Sequence, residues 1–447
     1  MQFSELVKKY DVPAPRYTSY PTVPYWTDTP TAQEWIESLR RTLTRDKNYS
    51  IYVHLPFCET LCSFCGCNTV ITRNHNNEGE YLEALEKEWK NYKRLVPELE
   101  SLLPKQFHLG GGTPTFFSAA HLERLLSNFL PRRGSAATQV EGSVEVDPRH
   151  CTREQLEVMY AYGFERISIG VQDLDPQVQR AVNRLQPLEM TQATVDSARS
   201  IGYTSVNFDL IYGLPKQTLA SIAESMKKTL ELRPDRIAFY SFAVVPWMKP
   251  AQSSLEKFLP NAEEKRHIFE LGRTMLLEAG YVEIGMDHFA LPDEALSQAM
   301  NSGELHRNFM GYTETKSSVL LGLGASSISE SEDCYHQNEK NLADYYRRVA
   351  AGEIPTLRGH RLTEQDMQRR QQILDLMTRF ETEVTLEQRE TVRGLLSELI
   401  ADQLVDLQED TLTILPAGRP FLRNACVAFD DRMNAARPRD NLFSKAV

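Results

Sequence analysis

Between about residues 50 and 242 the chain alternates short β-branched or aromatic runs with longer stretches whose apolar side chains return at helical spacing. The runs are IYVHL (51–55), QFHLG (106–110), GSVEV (142–146), RISIGV (166–171), SVNFDLI (205–211) and RIAFYSF (236–242), each with the length and composition of a buried strand. EYLEALEKEWKNYKRL (80–95) and TLASIAESMKKTLEL (218–232) each carry an apolar stripe and read as helices. Six βα units in series predict an α/β fold with a parallel sheet and outer helices, either an open doubly wound sheet or a partial (β/α) barrel. In both, ligands gather at the C-terminal ends of the strands.

The polar and Gly- or Pro-rich segments fall where that rule asks. A cysteine-rich stretch follows the first run, GGGTPT (110–115) the second, EVDPR (145–149) closes the third and VQD (171–173) the fourth. DLIYGLP (209–215) closes the fifth, and AVVP (243–246) follows the sixth. Ahead of this core, VPAPRYTSYPTVPYW (12–26) is too rich in Pro for a helix and too aromatic for a solvated tail, so it must lie on something. Beyond residue 360, helices are expected near 363–379 and 386–402, a hairpin at 404–415 and a closing helix from Pro416, the outline of a winged-helix-like module. The division expected is an arm over 1–42, a barrel over 43–280, a barrel extension over 281–360 and a small, mainly helical unit over 361–447.

Length and composition narrow the function. A chain of 447 residues with 41% hydrophobic content is globular and large enough for roughly two to four domains. No run of about 18 apolar residues is present to span a membrane, and MQFSELVKKYD lacks the apolar core of a signal peptide, so a cytoplasmic protein is expected. A formal charge of −11 argues against general affinity for nucleic acid or anionic membranes, and an anionic substrate would have to be held by a few placed Arg or Lys.

Cysteine usage points to metal. Of seven cysteines, Cys151, Cys334 and Cys426 stand alone, while Cys58, Cys62, Cys65 and Cys67 crowd into HLPFCETLCSFCGCN (54–68). Soft thiolates select zinc or iron-sulfur, and ligand type does not choose between them. Zinc sites usually draw Cys or His pairs from separated segments, and here Cys67 or His54 would have to complete the set. A C-x3-C-x2-C loop with an aromatic, Phe64, before the third cysteine suits a compact cluster.

These motifs resemble those of the radical S-adenosylmethionine (SAM) enzymes. PRYTSYP (15–21), IYVHLPFCETLCSFCGCN (51–68), GGGTPT, EVDPR, GVQD (170–173), VNR (182–184), NFDLIYGLPKQT (207–218), GMDHFA (285–290) and HRNFMGYT (306–313) are, more narrowly, similar to the oxygen-independent coproporphyrinogen III oxidases over nearly the whole chain. The resemblance implies a partial (β/α)6 barrel and a [4Fe-4S] cluster held by Cys58, Cys62 and Cys65, with the fourth iron left to SAM. It implies two SAM molecules. Tyr52, Phe64, Glu145, Ala243 and Ile328 would contact one, and Gly111, Gly112, Thr113, Gln172, Arg184 and Asp209 the other. Gly110, Gly111 and Gly112 lack a Cβ, so the backbone can approach a zwitterion, and Glu145 and Asp209 stand where carboxylates meet ribose hydroxyls.

The reaction implied oxidatively decarboxylates two propionates of coproporphyrinogen III to vinyl groups, giving protoporphyrinogen IX, with an electron donor and a terminal electron acceptor as partners and a monomeric enzyme. Arg16 in the arm and Arg307 are expected to hold the substrate carboxylates, with Tyr20 offering an aromatic face. His54 and His288 are expected to be structural. Two other functions compete. One is a haem-handling relative, a chaperone or a haem-degrading methyltransferase, and chaperone-like relatives tend to lack Cys67 and the PRYTSYP arm. A non-catalytic zinc protein with a nucleic-acid-binding module would want a basic closing unit, which EQRETVRGLLSELIADQLVDLQED is not. Leu109 departs from the resemblance, standing where an aromatic is expected.

Overall fold

A computed structural model describes residues 3–134, 140–247, 249–435 and 442–446. The six runs form strands β1 (Tyr49–Leu55), β2 (Gln106–Gly111), β3 (Glu141–Val146), β4 (Phe164–Gln172), β5 (Ser205–Tyr212) and β6 (Arg236–Ser241). They pair in chain order, all parallel. Helices Asn77–Leu95 and Leu219–Leu232 run where the apolar stripes place them, the second opening on a Thr218 capping box.

The residues after 281 extend this same sheet at both edges. β7 (Val282–Gly285) and β8 (His288–Ala290) add antiparallel beside β6. β9 (Val319–Leu323) pairs parallel with β1, and β10 (Ile328–Glu330), β11 (Cys334–Asn338) and β12 (Thr356–Arg361) follow antiparallel. The twelve-stranded order is β12-β11-β10-β9-β1-β2-β3-β4-β5-β6-β8-β7. Its parallel portion therefore has seven strands, because the apolar run VLLGL (319–323) returns to the open side of β1.

Register sets the site. Tyr52 stands opposite His108, His54 opposite Gly110, Glu145 opposite Ser168 and Gly170 opposite Asp209. A bulge between Gly170 and Gln172, with Gln172 at φ +68, re-aims the end of β4. The carboxylates and cysteines are thereby brought to one end of the barrel.

The arm does lie on something. A helix, Phe3–Tyr10, precedes it, and Leu6, Val7, Tyr10, Tyr17 and Tyr20 join the core of the closing unit beside Leu376, Met377, Phe421 and Phe429. That unit holds helices Glu364–Arg379, Leu386–Leu395 and Ser397–Ala401, and strands Glu381–Glu383, Val405–Gln408 and Thr411–Ile414 in one sheet. The helix expected over 386–402 is broken at Leu396. The closing helix begins as a 3-10 turn, Pro416–Phe421, because Pro420 has no N–H to give an α-helical bond. Among the described residues no helix is long and apolar enough to cross a membrane.

Candidate active site

A cleft of about 260 Å³ opens at the C-terminal ends of β1–β5. It brings together Cys58, Cys62, Phe64, Cys65, Gly111, Gly112, Thr113, Glu145, Gln172, Arg184 and Asp209, drawn from five strand ends and the turn after helix Pro176–Ala181. Cys67 lines it too but is exposed, whereas Cys62 is buried.

The cysteine loop is fixed at both ends by main-chain bonds. Gly112 N donates to Leu55 O (2.8 Å), Thr113 N to Phe57 O (2.9 Å) and Val70 N to Pro56 O (2.8 Å). A Cβ at Gly112 would stand 2.6 Å from Pro56 O and 2.8 Å from Phe57 O, so this glycine is demanded by contact with the cysteine loop itself. Gly111, at φ +113, backs onto the His54 ring in the same way. His54 is buried, with Nε2 2.8 Å from Asn68 O at the loop's far end and Nδ1 3.1 Å from the Tyr52 hydroxyl. Its position is that of a structural hub.

The thiols have unlike surroundings: guanidiniums flank Cys62, whereas burial pushes the Cys58 thiol up to about 11. Arg149 and Arg184 each donate to Cys62 Sγ (3.5 Å), and both are anchored on Asp147, at 2.6 and 3.0 Å. Burial alone would raise Asp147, and these two guanidiniums pull it below the ordinary carboxylate range. Cys58 Sγ lies 3.2 Å from Thr113 Oγ1. The hydrogen bond from Cys67 is the main cause holding Cys65 toward its thiolate, with Lys249 and Arg184 adding to it. Arg184 Nε is buried and has no partner.

These donors fit an iron-sulfur cluster better than a zinc ion. Among the described residues, no three His, Cys, Asp or Glu side chains close on one point as ligands of a single ion would. A cluster asks for thiolates on separate irons, a demand that cysteines spread along one loop at the cleft would suit. Arg184, whose Nε is buried without an acceptor, is one of the residues lining the same cleft.

Two carboxylates are tuned apart. Burial would raise Glu145, but His108 (3.5 Å), the Gly111 N–H (3.0 Å) and His54 hold it below the usual range. Asp209 is pushed up to about 7, first by burial and then by the charge on Glu145, although Ser168 and Asn207 each donate to it at 2.9 Å. One stays ionised and accepts; the other is close to carrying a proton at neutrality and can donate, which suits a partner rich in hydroxyls. Tyr52, stacked on His108 with centroids 5.7 Å apart, sits against Glu145 across Gly110.

A second cluster stands beside the cleft. Arg16 pairs with Asp287 (2.9 Å), donates to Ser241 O (3.3 Å) and lies over the Tyr240 ring at 5.9 Å. His288 contacts Asp287 (2.9 Å) through Nδ1 and the Tyr240 hydroxyl (3.5 Å) through Nε2. Arg307 is buried with its guanidinium 4.5 Å over the Tyr312 ring, and its Nε and Nη1 have no partner. Two buried N–H groups without acceptors, in a cluster that already has its carboxylate paired, fit an anionic ligand.

Three expected residues are placed elsewhere. Tyr20 is only 1% exposed, its ring under Arg432 and its hydroxyl accepting from Asp431 N and Arg432 Nη1, so no face is left for a substrate. Ile328 packs toward the Trp26, Tyr335 and Leu362 cluster, and neither it nor Ala243 lines the cleft. His108, Ser168, Asp147, Arg149 and Tyr240 were not singled out by the sequence, although Asp147 and Arg149 lie inside the EVDPR motif.

The radical SAM superfamily model matches residues 52–229. The oxygen-independent coproporphyrinogen III oxidase of Salmonella typhimurium is 40% identical over 453 residues, covering 99% of this chain and 98% of that protein. Its Synechocystis counterpart is 39% identical over 470 residues, covering 100% and 98%. The solved structure of Escherichia coli coproporphyrinogen III oxidase, described as a radical SAM enzyme, aligns with a TM-score of 0.88 at 38% identity over 96% of this chain and 98% of that one.

Proposed function

The chain belongs to the oxygen-independent coproporphyrinogen III oxidase family of radical SAM enzymes, and from that membership we propose that it converts two propionates of coproporphyrinogen III to vinyl groups, giving protoporphyrinogen IX in haem biosynthesis. The observation that carries this is the single cleft joining three cysteines, a glycine turn and the tuned pair Glu145 and Asp209.

Cys58, Cys62 and Cys65 would hold a [4Fe-4S] cluster, leaving it open to SAM. When bound, cluster and SAM together supply a 5′-deoxyadenosyl radical able to take one hydrogen atom from an unactivated carbon. Arg149 and Arg184 offset the negative charge of the thiolates. Tyr52, Phe64 and Glu145 serve a cluster-bound SAM, and Gly111, Gly112, Thr113, Gln172, Arg184 and Asp209 a second one. Two decarboxylations rationalise two SAM molecules. Ala243 and Ile328 reach SAM only if their segments move from the positions seen.

Each propionate loses a hydrogen atom from its β-carbon, carbon dioxide and one electron. The carboxylate must leave ionised, so the chain's task is to hold an anion rather than to supply a general base. Arg307, with two free buried N–H groups, and Arg16 do this. An electron donor for the cluster and an acceptor for the released electrons are the remaining partners.

Reconstituting the protein anaerobically with iron and sulfide, then adding SAM, reductant and coproporphyrinogen III, is expected to yield 5′-deoxyadenosine and protoporphyrinogen IX. Formation of neither product would overturn the assignment; 5′-deoxyadenosine alone would leave the radical chemistry and remove the substrate.

A further inference from the structure

The cysteine loop turns one edge to solvent. Gly66 and Cys67 are exposed, and a Cβ on Gly66 would meet no atom within 4 Å, so the main chain between Cys65 and Cys67 lies bare. Three cations gather at this edge. Lys249, on the loop after β6, donates through Nζ to Cys67 O (2.9 Å). Lys340, two residues past β11, accepts at its main-chain oxygen from Asn68 Nδ2 (3.3 Å), so its exposed side chain starts beside the end of the loop. Arg358 on β12 stands opposite Gln337 and donates to its Oε1 (2.9 Å). Partial desolvation, then the charges of Arg358 and Lys249, lower the Lys340 ammonium from its usual range, so the three cations lie within electrostatic reach of one another. Among the described residues none of the three is paired with a carboxylate. Trp247, two residues before Lys249, is 43% exposed.

Like charges held together without partners suit a visitor of opposite charge, and in a protein of overall charge −11 this patch is a local reversal of sign. Its place narrows the visitor. Neither Trp247, Lys249, Lys340 nor Arg358 lines the reaction cleft, so the patch is not part of the wall that meets SAM. It lies instead over the outer edge of the loop assigned above to the cluster, where ligand-bearing main chain meets solvent with no side chain between. Each SAM cleaved requires one electron delivered to that loop. We propose, resting on the radical SAM function assigned above, that Trp247, Lys249, Lys340 and Arg358 form the docking surface of an acidic protein that carries single electrons, seated over Gly66. One electron passes from the reduced carrier to the cluster, with no bond made or broken. Such redox encounters bury less than about 1,200 Å² and rely on charge to bring the partners together, so a small cationic patch with one exposed aromatic is sufficient.

The test measures binding of two oxidised probes, an acidic flavodoxin and an acidic [2Fe-2S] ferredoxin, to the reconstituted full-length enzyme by titration calorimetry. Lys340→Glu combined with Arg358→Glu is expected to raise the Kd about tenfold at low ionic strength, the size of two reversed surface charges, and the difference should vanish in about 0.5 M salt. Gly66→Leu, whose side chain would stand in open space, should weaken binding by a similar factor through obstruction alone. In turnover, the losses should fall on reaction driven by the reduced carrier and not on reaction driven by photoreduced deazariboflavin, a small uncharged reductant. Three results would overturn the docking site while leaving the radical chemistry: no binding of either carrier at low salt, Kd changes under twofold in both variants, or equal losses of turnover with carrier and deazariboflavin. No 5′-deoxyadenosine from the unmodified enzyme with any of these reductants would overturn the radical chemistry and the docking site together.

Discussion

Replacing Arg307 with Met should make the protein more stable and less active at once. Arg307 is buried, and its Nε and Nη1 find no acceptor; leaving such groups unmade costs about 1–3 kcal/mol. Met keeps length and apolar contact with Tyr312 but gives up the cation over its ring, worth about 0.5–2 kcal/mol. Arg307 also helps keep Asp287 ionised, but His288 and Arg16 are the larger influences, so that loss is small. The balance is a gain of about 1 kcal/mol in the ligand-free protein. With substrate bound the sign reverses, because a carboxylate on this guanidinium contributes about 1.5–3 kcal/mol, a 10- to 150-fold change in affinity. Urea unfolding of the cluster-free protein, followed by tryptophan fluorescence, reads the first effect, and anaerobic kcat/KM with coproporphyrinogen III reads the second. A variant destabilised by 1 kcal/mol or more, or one with unchanged kcat/KM, would refute the reasoning, since either result means the guanidinium is already satisfied without substrate.

Gly112→Ala should cost about 100-fold in activity with the fold retained, because its Cβ would stand 2.6 Å from Pro56 O and must push the cysteine loop by several tenths of an ångström; steady-state assay beside circular dichroism checks it. Cys58→Ala should lose the cluster's visible absorbance and both products, whereas Cys67→Ala should keep the absorbance; a colourless Cys67→Ala protein would make Cys67 a ligand. Glu88, buried and bonded to Tyr345, Gly324 N and Asn338, is pushed up to about 7, chiefly by burial. A raised carboxyl pKa gives stability that is present below the unfolded value near 4.5 and is lost as pH rises through 7, so this group should withdraw about 3 kcal/mol across that window. Glu88→Gln should flatten urea stability between pH 5 and 7.5, read by the same unfolding assay.

The strand ends were legible because composition, length and turn chemistry agree there: all six runs became strands, and the polar residues just beyond them line one cleft. The seventh parallel strand, VLLGL (319–323), escaped because its partner Tyr49–Leu55 is some 270 residues earlier, and apolar content alone does not give a partner. The cysteine loop stood out by its spacing, while its three-ligand set came only from the resemblance; the Arg149–Asp147 pair is local, but Arg184 reaches Asp147 only through the packing of a separate loop. Tyr20 shows the opposite failure. An aromatic in a Pro-rich arm must be buried by something, and nothing in its neighbours says whether the cover is a substrate or, as the structure has it, the closing unit. The glycine turn serves more than backbone approach to a ligand, since Gly112 is required by loop contact before any ligand is considered.

The most direct test of the central claim uses coproporphyrinogen III deuterated at the propionate β-carbons, turned over anaerobically by the reconstituted enzyme with SAM and a reductant. One deuterium in each 5′-deoxyadenosine, with two 5′-deoxyadenosines per protoporphyrinogen IX, is the predicted result. Protoporphyrinogen IX formed without labelled 5′-deoxyadenosine would contradict it.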